Sequence, residues 1–258
     1  MPLKKSKSLI MILAASPLIL SASSFAGISV YPISVPMQKS GGAQISVTTN
    51  SATTEYVKTT VKKINNPATA QESESVISQS SGNGIVVTPE KFGLSPGTTR
   101  IIRLINIQPP QTEEAYRVYF EGVPGLNSND KNEQKGPAKL GISMIWGVLV
   151  TVPPATPRLD FTLDPARGVV SNTGNIHLKI NSIGLCPQQL TDEGCKWSKP
   201  VKNSIYPNQH ATLDPALFKG NNYRVVKVKY FNWTVEVLSD DYPNGVCSFW
   251  RIGLISHT

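Results

Sequence analysis

Short runs of alternating or β-branched residues recur about every 8–15 residues along this chain, separated by clusters of turn residues. The run Glu55–Ile64 ends at the turn Asn65-Asn66-Pro67, and the run Gly97–Ile107 follows the turn Ser95-Pro96-Gly97. Helix signals are scarce. This spacing of short strands is typical of β-sandwiches, so the sequence predicts an all-β fold.

Length and proline content predict how the strands are divided between domains. The 258 residues are enough for one large domain or two of roughly 100–125 residues. The segment Pro153-Pro154-Ala155-Thr156-Pro157 fixes several φ angles and removes three hydrogen-bond donors, which makes it a stiff connector. We therefore predict two β-sandwich domains, residues 27–152 and 157–258. A hydrophobic content of 40% provides a packed core and excludes wholesale disorder.

The first 26 residues have the features of a secretory signal peptide. Lys4, Lys5 and Lys7 precede an apolar run, Leu9–Leu20, and small residues follow up to Ala26. The run is too short to cross a bilayer, which takes about 20 residues. Removing residues 1–26 lowers the formal charge from +8 to +5. The signal-peptide features predict an exported soluble protein.

The segment Leu140–Val152 (LGISMIWGVLVTV) has an apolar residue at every even-numbered position. It follows a polar stretch, residues 124–139, which we interpret as a loop. One face of this strand is therefore continuously apolar. The pattern fits either a central strand of a sandwich or a strand that also offers its apolar side chains to another chain.

Several motifs together are similar to one family. The chain resembles the periplasmic chaperones of the chaperone–usher pathway, most closely the alternate branch that serves class 5, colonisation-factor fimbriae. The likeness covers essentially the whole mature chain and is strongest from 84 to 124. It is carried by Tyr31-Pro32-Ile33-Ser34, Lys62–Pro67 (KKINNP), Gly84–Pro89 (GIVVTP), Leu94-Ser95-Pro96-Gly97, Glu113–Pro124 (EEAYRVYFEGVP), Asn172-Thr173-Gly174-Asn175 and the Cys186…Cys195 pair.

The resemblance implies two immunoglobulin-like β-sandwich domains in an angled arrangement, and a function without catalysis or cofactor. Members of the family donate a strand to pilus subunits that lack their own last strand. The expected partners are fimbrial major and minor subunits and an outer-membrane usher, and the expected compartment is the periplasm. The implied donor residues are Leu140, Ile142, Met144 and Trp146, while Val148, Val150 and Val152 are expected to complete the chain's own core.

A donor strand needs a fixed register, because a slip of one residue turns every side chain to the wrong face. In the better-known branch, two basic residues of the first strand and the donor strand hold the subunit's C-terminal carboxylate. Here Gly27–Met37 and Leu140–Val152 contain neither Lys nor Arg. We expect Arg117, with Arg103 or Lys58, to bind that carboxylate at the interdomain cleft. The alternative is that Arg103 forms a structural ion pair with Glu114 or Glu121.

Two of the three cysteines, Cys186 and Cys195, are nine residues apart, and an oxidising compartment predicts a disulfide between them. Cys247 is the odd cysteine, and its pairing with one of the others stays an alternative. The histidines His177, His210 and His257 have no metal-ligand spacing with the cysteines, so no metal site is expected. No run of basic residues with interleaved aromatics indicates nucleic-acid binding.

Two other interpretations remain open at this stage. A secreted two-domain adhesin or carbohydrate-binding sandwich would cluster aromatic residues at its loop tips. A hydrolase would need a cavity with paired titratable groups, although the chain has no G-x-S-x-G or phosphate-binding loop motif.

Within the chaperone interpretation, self-association of the free chaperone through its apolar strand is a further expectation, because a long bare apolar strand is costly.

Overall fold

The structure of the chain is a computed structural model. It describes residues 27–77, 84–123, 144–164, 166–187, 193–214, 217, 223–230, 233–238, 247–248 and 253–255. The predicted signal peptide, the predicted loop 124–139 and the donor residues Leu140 and Ile142 lie outside these ranges. In the described ranges, we find no helix with the length and apolar character needed to cross a membrane.

The ten strands described between residues 28 and 152 form a sandwich of two sheets. The first sheet has the strand order β1-β3-β8-β6, and the second has the order β2-β10-β9-β4-β5, with β7 also paired to β4. The strands are β1 (Ile28–Tyr31), β2 (Ser34–Pro36), β3 (Gly42–Thr49), β4 (Glu55–Asn65), β5 (Ser73–Val76), β6 (Ile85–Thr88), β7 (Lys91–Leu94), β8 (Thr99–Asn106), β9 (Glu114–Val123) and β10 (Ile145–Val152).

The remainder of the described chain forms a second sandwich. Its sheets have the orders β15-β12-β11-β18 and β14-β13-β16-β17-β19. The strands are β11 (Phe161–Asp164), β12 (Val169–Asn172), β13 (Lys179–Cys186), β14 (Lys196–Trp197), β15 (His210–Thr212), β16 (Tyr223–Tyr230), β17 (Trp233–Leu238), β18 (Cys247–Ser248) and β19 (Gly253–Ile255). The predicted all-β architecture of two immunoglobulin-like sandwiches is confirmed.

Each sandwich has its own apolar core, and the alternation of residues along the strands explains how it forms. In β8, Ile102 and Leu104 are buried while Ile101, Arg103 and Ile105 are exposed. The same alternation supplies buried residues from the facing sheet. The completely buried members of the first core are Ile45, Val47, Ile85, Ile102, Val118, Phe120 and Val150. A separate cluster, which includes Phe161, Leu163, Leu178, Ile180 and Val228, fills the second sandwich.

The two sandwiches meet at a small apolar junction. Ile64 and Ala115 of the first sandwich are buried against Tyr206 of the second, and Leu149 packs on the same cluster. Ile64 lies near the end of β4, whereas Ala115 lies at the start of β9. The antiparallel β4 therefore runs towards the junction and β9 runs away from it.

Polar contacts reinforce this junction. The Nε2 group of Gln209 donates to the carbonyl oxygen of Pro67 at 3.1 Å, and the Nδ2 group of Asn203 donates to that of Ala68 at 3.1 Å. The backbone N–H of Glu113 donates to the carbonyl oxygen of Asn175 at 2.8 Å. The turn after β4 and the approach to β9 are thus both attached to the second sandwich.

Candidate functional site

Strand β10 has two neighbours over only part of its length. Along its whole length it pairs with β9, from Ile145 opposite Glu121 to Val152 opposite Glu114. On its other side, β2 pairs with Leu149–Thr151 alone. Among the described residues no strand pairs with that side of residues 145–148. We call this segment the open edge of β10.

The main chain of the open edge directs polar groups outward. The N–H of Leu149 donates to the carbonyl oxygen of Ile33 at 3.0 Å, and the carbonyl oxygen of Thr151 accepts from the N–H of Met37 at 2.9 Å. Backbone groups in a strand point to alternate sides, so Ile145 and Gly147 direct their N–H and C=O groups the same way. These groups are positioned to pair with an added strand.

Side chains along β10 separate into an internal and an external set. Val148, Val150 and Val152 are almost completely buried in the first core, as predicted from the sequence. Trp146 packs against the same core and its Nε1 group donates to the carbonyl oxygen of Ile28 at 2.9 Å. The expectation that Trp146 faces a subunit therefore conflicts with its position in the structure. Met144 is 44% exposed, as its predicted role requires.

Arg117 lies on the outer face of the second sheet, next to the junction. Its neighbours in register are Lys62 of β4 on one side and Leu149 of β10 on the other. The flanking Tyr116 and Val118 are buried, which turns Arg117 away from the core. Lys62 lies over the ring of Tyr119, 5.0 Å from its centroid, so the Lys62 and Arg117 side chains share this outer face. The position of Arg117 near the interdomain junction agrees with the sequence-based expectation.

Lys58 does not join Arg117, contrary to the sequence-based expectation. In register it lies opposite Glu121, whereas Lys62 lies opposite Arg117. Four residues of strand separate the two lysines by about 13 Å. Strand β4 ends at the junction, so Lys58 near its start lies away from the junction and Lys62 lies near it. Lys62 therefore occupies the place that was assigned to Lys58.

Arg103 is also separated from Arg117, because β8 belongs to the first sheet. It pairs in register with Gln44 of β3 and Thr88 of β6, and it is exposed on the outside of that sheet. The alternative ion pairs to Glu114 or Glu121 are not formed either. Glu114 accepts from the Lys63 Nζ group at 2.6 Å instead. The three predicted anchor residues are thus not brought together.

Two glutamates that were not predicted from the sequence contact Arg117. The Nη1 group of Arg117 is 3.0 Å from Glu74 Oε1, and the Nη2 group is 3.4 Å from Glu72 Oε1. Lys62 Nζ is 3.3 Å from Glu74 Oε2. The Tyr119 hydroxyl is 2.8 and 2.9 Å from the two Glu74 carboxylate oxygens. We refer to Arg117 and Lys62 as the basic pair and to Glu72 and Glu74 as its acidic partners.

The surroundings of Glu74 stabilise its ionised form. Partial burial on its own would raise the pKa of Glu74, but the hydrogen bonds from Tyr119 and Lys62 and the charge of Arg117 outweigh it. The pKa of Glu74 therefore lies below its ordinary value. The basic pair and its acidic partners consequently form a charge-balanced cluster at neutral pH.

The predicted disulfide between Cys186 and Cys195 is present. It joins the end of β13 to the residue before β14. Cys247 lies in β18 opposite Leu163 and is outside this disulfide. Within the described residues, no group of three or more His, Cys, Asp or Glu side chains is arranged to hold a metal ion.

Comparisons with known proteins extend these observations. No family model matches the chain. Two similar proteins of Escherichia coli carry the names of fimbrial subunits. The one named for CFA/I fimbriae is 29% identical over 215 residues, which cover 82% of this chain and 88% of the relative. The one named for CS1 fimbriae is 28% identical over 186 residues, which cover 70% of this chain and 78% of the relative.

Among solved structures, the class 5 fimbriae chaperone CfaA superposes with a TM-score of 0.65 and 26% identity, over 90% of this chain and 100% of CfaA. A chain from a structure of a chaperone–tip adhesin complex of CFA/I fimbriae biogenesis superposes with a TM-score of 0.64 and 27% identity. The match covers 89% of this chain and 98% of that chain. The similarity favours a chaperone over the adhesin interpretation. With two joined sandwiches and an open edge on β10, the chain is similar in sequence and in fold to a class 5 fimbriae chaperone of the chaperone–usher pathway.

Proposed function

We propose that this chain, after removal of residues 1–26, acts in the periplasm as an assembly chaperone for fimbrial subunits. It completes each subunit through donor-strand complementation and delivers it to an outer-membrane usher, without a catalytic step. The observation that carries the proposal is the open edge of β10 beside the basic pair. The similar structures, one of them from a chaperone–tip adhesin complex, support this choice of partner.

The main chain supplies the first part of the interaction. A subunit that lacks a strand exposes unpaired edges and an apolar groove, which makes it prone to aggregate. A strand of that subunit can pair with the outward N–H and C=O groups of Ile145 and Gly147. Main-chain pairing of this kind tolerates many sequences, so one chaperone can serve both major and minor subunits.

Apolar side chains supply the second part. Met144 is exposed immediately before β10, and Leu140 and Ile142 share its alternation in the sequence. We propose that these three side chains enter the subunit groove, and that Trp146 stays in the chaperone because it packs on the first core. Met144 thus marks the boundary between donated and retained side chains.

The basic pair supplies the anchor. Strand β2 covers the edge of β10 from Leu149 onwards, so a subunit strand paired with the open edge has to end near that level. Arg117 lies opposite Leu149 on β9. The added strand is about 10 Å from β9, two strand spacings, which an extended Arg side chain and a chain terminus can span together. We propose that Arg117, with Lys62, binds the subunit's terminal carboxylate.

The test is recovery of subunits from periplasm with the affinity-tagged chain. Arg117→Ala and Lys62→Ala should each reduce complex formation by about tenfold or more, the value of one charge-assisted hydrogen bond. Lys58→Ala and Arg103→Ala are matched controls, since each removes a cation from the same sandwich but away from the basic pair. Thermal unfolding of each variant confirms that it is folded.

Two results would contradict parts of this proposal. Unchanged complex formation by folded Arg117→Ala and Lys62→Ala variants would exclude the basic pair as the anchor. A chain that is exported, recovers no fimbrial subunit and binds glycans would instead support the adhesin interpretation.

A further inference from the structure

The basic pair is already occupied by carboxylates of the same chain. Arg117 contacts both Glu72 and Glu74, and Lys62 contacts Glu74. Two positive side chains therefore face two negative ones. A third carboxylate added to this cluster would leave it with an excess of negative charge in a partly buried place, where like charges repel.

The geometry of the two Arg117–carboxylate contacts indicates that an incoming carboxylate can replace them. Its two terminal nitrogens are shared between two different carboxylates, one contact to each, at 3.0 and 3.4 Å. Arginine binds carboxylate most strongly when both nitrogens contact the two oxygens of one group. A single incoming carboxylate could therefore replace two separate contacts with one two-pronged contact.

Apart from the basic pair, Glu74 contacts the Tyr119 hydroxyl and Glu72 contacts one backbone N–H. The Oε2 atom of Glu72 accepts the N–H of Ala68 at 2.8 Å, within the turn that follows β4. Glu74 lies on β5, which is the terminal strand of the second sheet and pairs only with β4. Glu72 is one-third exposed, and Glu74 is less exposed. Their side chains can therefore turn towards solvent without disturbing the core.

We propose that Glu74, assisted by Glu72, is an internal carboxylate that occupies the basic pair in the free chaperone and is displaced by the carboxyl terminus of the subunit. This inference rests on the proposed function, because it concerns the same anchor. Occupation by the chain's own carboxylates keeps small carboxylates away. A subunit terminus displaces them because its strand also pairs with the open edge of β10 and raises the local concentration of its carboxylate.

The first experiment measures the affinity for the recovered subunit with Glu74→Gln, Glu72→Gln and the double variant. Glutamine keeps the shape of glutamate and removes its charge, so the double variant should bind the subunit about fivefold more tightly or better, the size of one partly exposed ion pair. Glu121→Gln is the matched control, since Glu121 lies on the same sheet opposite Lys58. Weaker or unchanged binding by the double variant would overturn the proposal, and weaker binding would make Glu74 a positioning residue for Arg117.

A second experiment needs no fimbrial partner. The side-chain Nε–H signal of Arg117, assigned by Arg117→Lys, is followed by NMR during titration with sodium acetate against sodium chloride of equal ionic strength. The double variant should show a saturable shift with acetate at concentrations that leave the unsubstituted chain unchanged. Identical titration curves for the double variant and the unsubstituted chain would overturn the proposal. Loss of complex formation in Arg117→Ala, together with no effect of the double variant, would reject the internal carboxylate and keep the proposed anchor.

Discussion

The two halves of β10 have the same alternation of residues but different surroundings. Leu149–Val152 lies between β2 and β9, and its Val150 and Val152 are buried. The preceding half, from Ile145 to Val148, pairs with β9 and has an open edge on the other side. Ile145 is 56% exposed, and the adjoining Met144 is 44% exposed. One strand thus contributes to the core along its length and leaves one edge unpaired over its first half among the described residues.

Alternation alone therefore does not distinguish a core strand from a donor strand. Both halves present an apolar residue at every second position, as any half-buried strand does. What separates them is the neighbouring strand β2, which ends the open edge at Leu149. The length of the open edge therefore depends on where the three-residue strand β2 begins to pair.

The largest effect is expected from a comparison of a charge placed in the second half of β10 with one placed at Met144, just before its first half. Val150→Asp buries an unpaired carboxylate in the first core and should cost at least about 4 kcal/mol of unfolding free energy. Met144→Asp places the same charge on an exposed residue and should change that free energy by less than about 0.5 kcal/mol. Denaturant unfolding measures both. Similar losses of unfolding free energy in the two variants would contradict the structural distinction between Val150 and Met144.

Proline substitutions test the direction of the main-chain groups. The N–H of Val148 points towards β9, so Val148→Pro removes a bond of the existing ladder and should cost about 2–3 kcal/mol. The N–H of Ile145 points to the open edge. Ile145→Pro should therefore cost about 1 kcal/mol or less of unfolding free energy. The same substitution should greatly reduce the yield of complex with the fimbrial partner. Unfolding curves and co-purification are measured for both. An Ile145→Pro variant that retains full complex yield would mean that the open edge is not the pairing edge.

The fold could be predicted from the sequence because its signals are local. The alternation in Glu55–Ile64 and Gly97–Ile107 and the turns that bound them identify β4 and β8. The disulfide was predictable from the short separation of Cys186 and Cys195 and an oxidising compartment. These features need no knowledge of which strands are neighbours.

The anchor could be predicted only in part, because it depends on strand direction and sheet membership. Arg117 is close to the junction because β9 begins there. Lys58 and Lys62 share the outer face of β4, and only the direction of β4 decides which of them is near the junction. The turn Asn65-Asn66-Pro67, which closely follows Lys62 and contacts the second sandwich through Pro67, was the available signal. Arg103 was misplaced because consecutive strands β8 and β9 belong to opposite sheets.

The acidic partners had no sequence signal of comparable strength. Glu72 and Glu74 belong to a polar, Ser- and Gln-rich stretch, and β5 is a short strand of four residues without a buried side chain. Their contact with Arg117 is made across β4, between residues 43 and 45 positions apart in the sequence. Contacts of this kind follow from sheet order, which residue patterns do not contain.

The smallest expected effect comes from the glycine that links the open edge to the anchor. A Cβ atom on Gly147 would lie 3.2 Å from both Arg117 Cδ and Tyr119 Cε1, closer than ordinary van der Waals contact. Gly147→Ala should therefore shift these side chains and weaken binding of the fimbrial partner a few-fold. Its effect on unfolding free energy should stay within about 0.5 kcal/mol, because both side chains can move.

Gly122→Ala is the control for that substitution, since a Cβ atom there meets nothing within 4 Å. Replacing glycine by alanine at an unstrained position reduces the entropy of the unfolded chain and commonly stabilises by about 0.4–1 kcal/mol. The difference between the two variants in unfolding free energy and in partner binding thus isolates the contact with Arg117 and Tyr119. If Gly147→Ala stabilises as much as Gly122→Ala and binds the partner equally well, then the open edge and the basic pair act independently. A binding defect confined to Gly147→Ala would instead show that the edge of β10 and the carboxylate anchor are adjusted to one another.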